Sequence, residues 1–230
     1  MSQFNPHTEA LPPAQREIWP QLAASVELGL VLYGGTAVAL RLGHRTSIDF
    51  DFFTEMPLNR QKLERAFAFL GRSKVIQDQP DTLSVLAPVR EGSVKVSFFG
   101  EIEIGRAGIP ERTPDGVLQV ASLLDLLATK LKVMQQRIEA KDYRDVAAML
   151  RAGLPLEIGM AAAAALYIPS FQPSEAIKAL TYFEGGDLAS LPASDRQTLT
   201  RAVAEVRRIP AIEVASRSLS SQTHEQEDRL

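Results

Sequence analysis

"LYGGTAVALRLGHRTSIDFDFF", residues 32–53, joins a double glycine, a short apolar run and two aspartates one residue apart. Side chains alternate between the faces of a strand, so Asp49 and Asp51 leave one side of "SIDFDFF" while Ile48, Phe50 and Phe52 leave the other. The Phe face suits a core. The aspartate face must be wet, paired or metal-bound, because adjacent carboxylates repel and dry burial raises at least one pKa. A divalent cation relieves that repulsion, since Mg²⁺ takes hard oxygen ligands and is commonly held by one or two carboxylates plus substrate phosphates. For an isolated D-x-D, an exposed polar edge strand is the ordinary reading; the context changes that. Gly34 and Gly35 follow a predicted strand and precede a predicted helix. Glycine there lets backbone approach a ligand, and the helix start offers free N–H groups to a phosphate, with Thr36 capping the helix or touching phosphate oxygens. A phosphate-cradling turn ahead of a metal-chelating strand fits nucleotidyl transfer, in which Mg²⁺ bridges enzyme carboxylates and a triphosphate.

The rest of the chain is compatible with that chemistry. Its 230 residues suffice for a sizeable core. No apolar run reaches the roughly 20 residues of a membrane helix, and the N-terminus lacks the pattern of a secretory signal. With no cysteine there is neither a disulfide framework nor a thiolate metal site, and the cytoplasm is the expected compartment. A net charge of −3 argues against a generic nucleic-acid coat but allows a local basic groove. His7, His44 and His224 have no ligand spacing, which argues against a structural zinc site.

Periodicity predicts an α+β N-terminal half and a helical C-terminal half. A helix is expected over roughly 12–29, a strand in "LVLYGG", a short helix in "TAVALRLG", and a helix from "NRQKLERAFAFLG" that stops at Gly71. "KVIQDQ", "TLSVLAPV" and "SVKVSFFGEIEI" read as strands. Ser122 and Asp125 form a capping-box arrangement that opens "SLLDLLATKLKVMQQR", and four further helices follow, the last ended by Pro210. The expected division is a sheet-bearing core over 1–116, a helical domain over 117–210, and a polar tail over 211–230, frayed or docked on a partner.

"GGTAVALRLGHRTSIDFDFF" resembles the first motif of the nucleotidyltransferase AbiEii-type toxin family, within the polymerase-β-like nucleotidyltransferase superfamily. "DLLATKLKVMQQRIEAKDYRDVAAML" resembles that family's downstream lysine and K-D-x-x-D motifs, and "SVKVSFF" and "ALTYFEGGD" sit where similar strings occur. The resemblance spans about residues 30–190. It implies a mixed-sheet nucleotidyltransferase core followed by a helical bundle. It also implies metal-dependent use of an NTP, with Mg²⁺ or Mn²⁺, to add nucleotides to an RNA acceptor such as tRNA, and a cognate antitoxin. A binding module without turnover, and transfer to a small molecule or protein, are the alternatives.

In the second motif Lys130, Arg137 and Lys141 are 7 and 11 residues apart. On an unbroken helix that places them within about 20° of one line, facing the aspartates as a triphosphate site; a solvated basic face is the bland alternative. Lys130, behind the apolar "LLAT", is expected to point inward onto phosphate. Asp142 and Asp145 share a helix face, where they contact metal, orient base or ribose, or pair with Lys130 or Arg137. Arg45 is expected to lean on a phosphate or to cap carbonyls. Ser47 matches the family's S-x-D-x-D serine, and His44 is read as structural. One feature departs from the superfamily, which often carries a third carboxylate on a later strand. Ser97 occupies that position and cannot serve as an anionic ligand or efficient base. Glu101 and Glu103 share its parity and would substitute if the strand continued. Otherwise the site holds one Mg²⁺, recruits Asp142 or Asp145, or is catalytically weak.

Overall fold

The structure is a computed structural model that describes residues 4–221. Its centre is a mixed seven-stranded sheet with flanking helices, followed by a helical C-terminal region. The strands are β1 (Val31–Tyr33), β2 (Asp49–Phe53), β3 (Lys74–Gln79), β4 (Thr82–Val89), β5 (Gly92–Phe99), β6 (Glu111–Arg112) and β7 (Gln119–Val120), in the order β3-β4-β5-β2-β1-β7-β6. β1 runs antiparallel to β2 and parallel to β7, and β2 runs parallel to β5. The expected boundary at 116/117 falls inside the β6–β7 hairpin, so the sheet unit extends through Val120.

Of the three residues expected on the core side, Phe50 and Phe52 behave as alternation requires, whereas Ile48 precedes β2 and is exposed at the cleft. Phe50 and Phe52 are fully buried and stack towards Phe98 and Trp19. The expected N-terminal helix is broken into α1 (Pro13–Ile18), a 3-10 turn and α2 (Ala24–Glu27), because Pro20 in the turn has no N–H for a continuous ladder. α3 (Gly34–Leu42) follows β1 directly, and Gly43, at φ +61°, ends it. α4 (Arg60–Ala66) stops short of Gly71. Phe67 and Phe69 are both buried in the core, and residues two apart cannot share a helix face.

The C-terminal half contributes α5 (Leu123–Val133), α6 (Ala140–Arg151), α7 (Leu156–Leu166), α8 (Pro173–Thr181) and α9 (Ala193–Glu205). The cap of α5 is as read: the Ser122 hydroxyl accepts from the Asp125 N–H. α5 packs against α3, α6 and α7, and the buried apolar residues form one continuous cluster across both halves. The described part of the tail, 211–221, docks on the chain itself. Ser216 bridges to Arg106, Leu219 is fully buried, and the Leu219 N–H donates to Glu55. Residues 222–230 of the expected flexible tail lie outside the described residues. Among the described residues no helix is long and apolar enough to cross a membrane.

Candidate active site

Asp49 and Asp51 open into a cleft of about 520 Å³. It is lined by the face of β2 and β5 that carries Asp49, Asp51, Phe53, Lys95 and Phe99, and by Gly34 and Gly35. Lys130 on α5, Arg137 in the turn after it and Lys141 on α6 line the cleft as a basic wall. Gly34 is held at φ +73°, and a Cβ there would lie 2.5 Å from Asp51 Oδ2. The glycine is therefore required twice, by its backbone angle and by the carboxylate packed on it. α3 begins at this point, so its unsatisfied N–H groups lie beside the acids. Gly35 abuts the Arg45 guanidinium in the same way.

Neither the Asp49 nor the Asp51 carboxylate has a hydrogen-bond or ion-pair partner among the described residues. Burial, and then the neighbouring Asp49, raises the Asp51 pKa, while Lys95, Lys130 and Lys141 pull it down. A pair of acids with free oxygens and mutual repulsion fits a hard divalent cation completed by phosphate oxygens. Among the described residues no cluster of three or more His, Asp or Glu side chains could hold a metal. Asp49 and Asp51 are the acidic side chains that line the cleft.

Behind the basic wall lies a buried charge cluster. Lys130 Nζ is 2.6 Å from Asp142 Oδ1 and 2.7 Å from Asp145 Oδ2. Arg45 donates two bonds to Asp145, from Nε at 2.6 Å and Nη2 at 2.9 Å, and His44 Nε2 lies 2.8 Å from the same carboxylate. Arg137 Nε donates to Asp142 at 2.9 Å. Burial alone would raise both carboxyl pKa values. Lys130 and Arg137 instead hold Asp142 below its ordinary value, and Lys130, His44 and Arg45 hold Asp145 well below. By formal charge, the three basic side chains Arg45, Lys130 and Arg137 against two carboxylates leave the wall net positive. The acids fasten α5, α6 and the loop after Gly43 into one unit.

Several expectations take a different form. The line of Lys130, Arg137 and Lys141 does not exist on one helix, because α5 ends at Val133 and α6 starts at Ala140. The intervening turn nevertheless returns all three to the cleft. Asp142 and Asp145 are fully buried in their ion pairs and do not line the cleft. Arg45 lines it while its guanidinium is engaged by Asp145 and the Thr46 carbonyl. Thr36 is buried, with its hydroxyl hydrogen-bonded to Ser47 and the Asp49 carbonyl, so it braces the acidic strand rather than facing the cleft. Ser47 lines the cleft from that bonded position. Ser97 pairs in register with Asp51 but is fully buried and accepts from Ser84 at 3.0 Å. β5 ends at Phe99, and Glu101 turns away at φ +52°, so Glu101 and Glu103 do not continue the acidic face or line the cleft. Lys95, Thr129 and Val133 line the cleft without having been singled out from sequence. For Lys95 the signal was available, since it has the strand parity of Ser97.

A mixed sheet with an acid-bearing central strand, a glycine turn and a basic helical wall places the chain among nucleotidyltransferase-fold proteins. MenT4, a nucleotidyltransferase toxin from Mycobacterium tuberculosis H37Rv, superposes with a TM-score of 0.54 over 84% of this chain and 82% of its own, at 14% identity, a likeness of fold. The family described as "Nucleotidyl transferase AbiEii toxin, Type IV TA system" matches residues 22–215, and the chain belongs to that family. An uncharacterized protein of Aquifex aeolicus is 34% identical over 122 residues, which cover 52% of this chain and 57% of that one, so the alignment spans little more than half of the relative.

Proposed function

We propose that this protein transfers a nucleotide from an NTP to an RNA acceptor, with tRNA as the expected class, as the toxin partnered by a cognate antitoxin. The observation that carries the reading is the pair of unpartnered carboxylates, Asp49 and Asp51, sharing one cleft with a basic wall and lying beside a glycine-opened helix start. A triphosphate in this cleft meets the basic wall directly and would meet the carboxylates only through a divalent cation. Mg²⁺ or Mn²⁺ held by Asp49 and Asp51 would supply charge neutralisation at the reacting phosphate.

The chain's own groups do the rest. N–H groups at Gly34 and Gly35 receive phosphate oxygens. Lys130, with Arg137 and Lys141, offsets triphosphate charge. Asp142, Asp145 and Arg45 act as positioning residues that hold Lys130 and the wall in place, and Thr36 and Ser47 fix the acidic strand. The acceptor hydroxyl oxygen bonds to the α-phosphorus as the bond towards the β-phosphate breaks. Pyrophosphate leaves, and the hydroxyl proton passes to solvent. Transfer of this kind depends on positioning and electrostatics more than on covalent chemistry.

The test is incubation with each labelled NTP, Mg²⁺ and total bacterial RNA beside Asp51→Ala. Label entering RNA with the parent chain and not with the variant is the expected result. Equal labelling by both would remove the proposal. Release of pyrophosphate without labelled RNA would point to a small-molecule or protein acceptor. NTP binding with no turnover would leave the binding-module reading, which the burial of Ser97 favours.

A further inference from the structure

Lys95 lies in the cleft on the same sheet face as the acids, a consequence of register. In the parallel β2–β5 pair, Asp49 stands opposite Lys95, Asp51 opposite Ser97 and Phe53 opposite Phe99. Residues opposite one another in register project to the same side. The strand that offers a carboxylate in related enzymes here offers an ammonium group beside Asp49. Among the described residues no acid besides Asp49 and Asp51 lines the cleft. Ser97 is bonded to Ser84, Asp142 and Asp145 are consumed in ion pairs, and the strand ends before Glu101.

The remaining cleft cations are matched to acids. Arg45 is bonded to Asp145, Lys130 to Asp142 and Asp145, Arg137 to Asp142, and Lys141 to Glu139. Among the described residues Lys95 has no carboxylate within ion-pair distance, although it is close enough to act on Asp51 electrostatically. A half-exposed, unpaired ammonium next to two carboxylates repels added cations and attracts phosphate oxygens.

We propose that Lys95 is a nucleotide-positioning residue whose ammonium group takes the place of a second divalent cation, so that the chain binds its nucleotide with one metal ion instead of two. This rests on the nucleotidyltransferase reading above. Lys95 stands on the same strand and sheet face as Ser97, beside Asp49, and shares the cleft with Lys130, so its ammonium group and that of Lys130 meet the same triphosphate. The cost is competition with the single cation for Asp49 and Asp51 whenever the nucleotide is absent.

The experiment measures binding, with activity as a separate readout. Mn²⁺ bound by the full chain is counted by electron paramagnetic resonance, with and without a non-hydrolysable NTP analogue, for the parent, Lys95→Met and Lys95→Arg. The parent should hold one Mn²⁺ per chain with the analogue. Lys95→Met should bind Mn²⁺ about tenfold more tightly without nucleotide and the analogue about tenfold more weakly, while Lys95→Arg keeps parental values. A merely structural lysine would not tighten metal binding when removed. Two Mn²⁺ per parental chain, or unchanged or weaker Mn²⁺ affinity in Lys95→Met, overturns the inference. Unchanged analogue affinity in that variant overturns it as well. If the underlying nucleotidyltransferase reading is at fault, the parent itself fails to bind the analogue and to label RNA. If only the role of Lys95 is at fault, the parent does both and Lys95→Met matches it.

Discussion

Replacing Asp145 by Asn tests whether the charge cluster behind the cleft is what holds the basic wall. The carboxylate is fully buried and bonded to Lys130, Arg45 and His44. Asn keeps the shape and removes the charge, leaving Lys130 with Asp142 alone and the Arg45 guanidinium with only the Thr46 carbonyl. Breaking a buried pair from one side costs about 3–5 kcal/mol, because the orphaned charges cannot return to water. For a chain of this size that lowers Tm by roughly 6–20 °C. The pH dependence gives the sharper test. Asp145 is held well below its ordinary value in the folded state, and its unfolded value is about 3.9. The stabilisation is therefore complete above the unfolded pKa and is lost as pH falls towards the folded one. In urea titrations from pH 7 down to pH 2, the gap between parent and variant should stay level to about pH 5. Below about pH 4 it should narrow by up to ~1.4 kcal/mol per pH unit. A gap under about 1 kcal/mol at neutral pH, or one that does not narrow in acid, would refute the reasoning.

Three further outcomes follow from named contacts. Gly34→Ala forces a positive φ on a residue with a Cβ and drives that Cβ into Asp51; it should cost about 1–2 kcal/mol by urea titration and abolish RNA labelling. Ser97→Asp, the obvious repair of the missing third acid, should fail, because the position is fully buried and bonded to Ser84. Chemical denaturation should show a loss of about 2–4 kcal/mol, and Mn²⁺ stoichiometry should not rise; a second bound ion would show that the site is accessible after all. Leu219→Ala removes a fully buried anchor of the C-terminal segment and should cost about 2–5 kcal/mol in the same measurement, whereas a frayed tail would show no change.

The acidic strand and the glycine turn were legible because their information is local. Period-two alternation puts Asp49 and Asp51 on one face whatever they pack against, and a strand–glycine–helix sequence marks a tight turn. The capping of α5 by Ser122 was readable for the same reason. Helix lengths were less so. Pro20 broke the first helix, and the pull of Phe67 and Phe69 into the core shortened α4, a tertiary demand that periodicity alone does not reveal.

The wall of the cleft shows the division most clearly. Lys130, Arg137 and Lys141 do reach one cavity, but by a turn between two helices and not by the helical line that their spacing suggested. The partners of Asp142 and Asp145 come from up to 101 residues away, and no local rule connects segments so distant. Sequence alone determined which residues carry charge, which strand face is polar and where the backbone can turn tightly, because these depend on neighbours a few bonds apart. Tertiary packing decided which charges cancel, which remain free to meet a ligand and which serine is sealed from it. Those outcomes depend on burial and on distances between segments, which exist only once the chain has closed on itself.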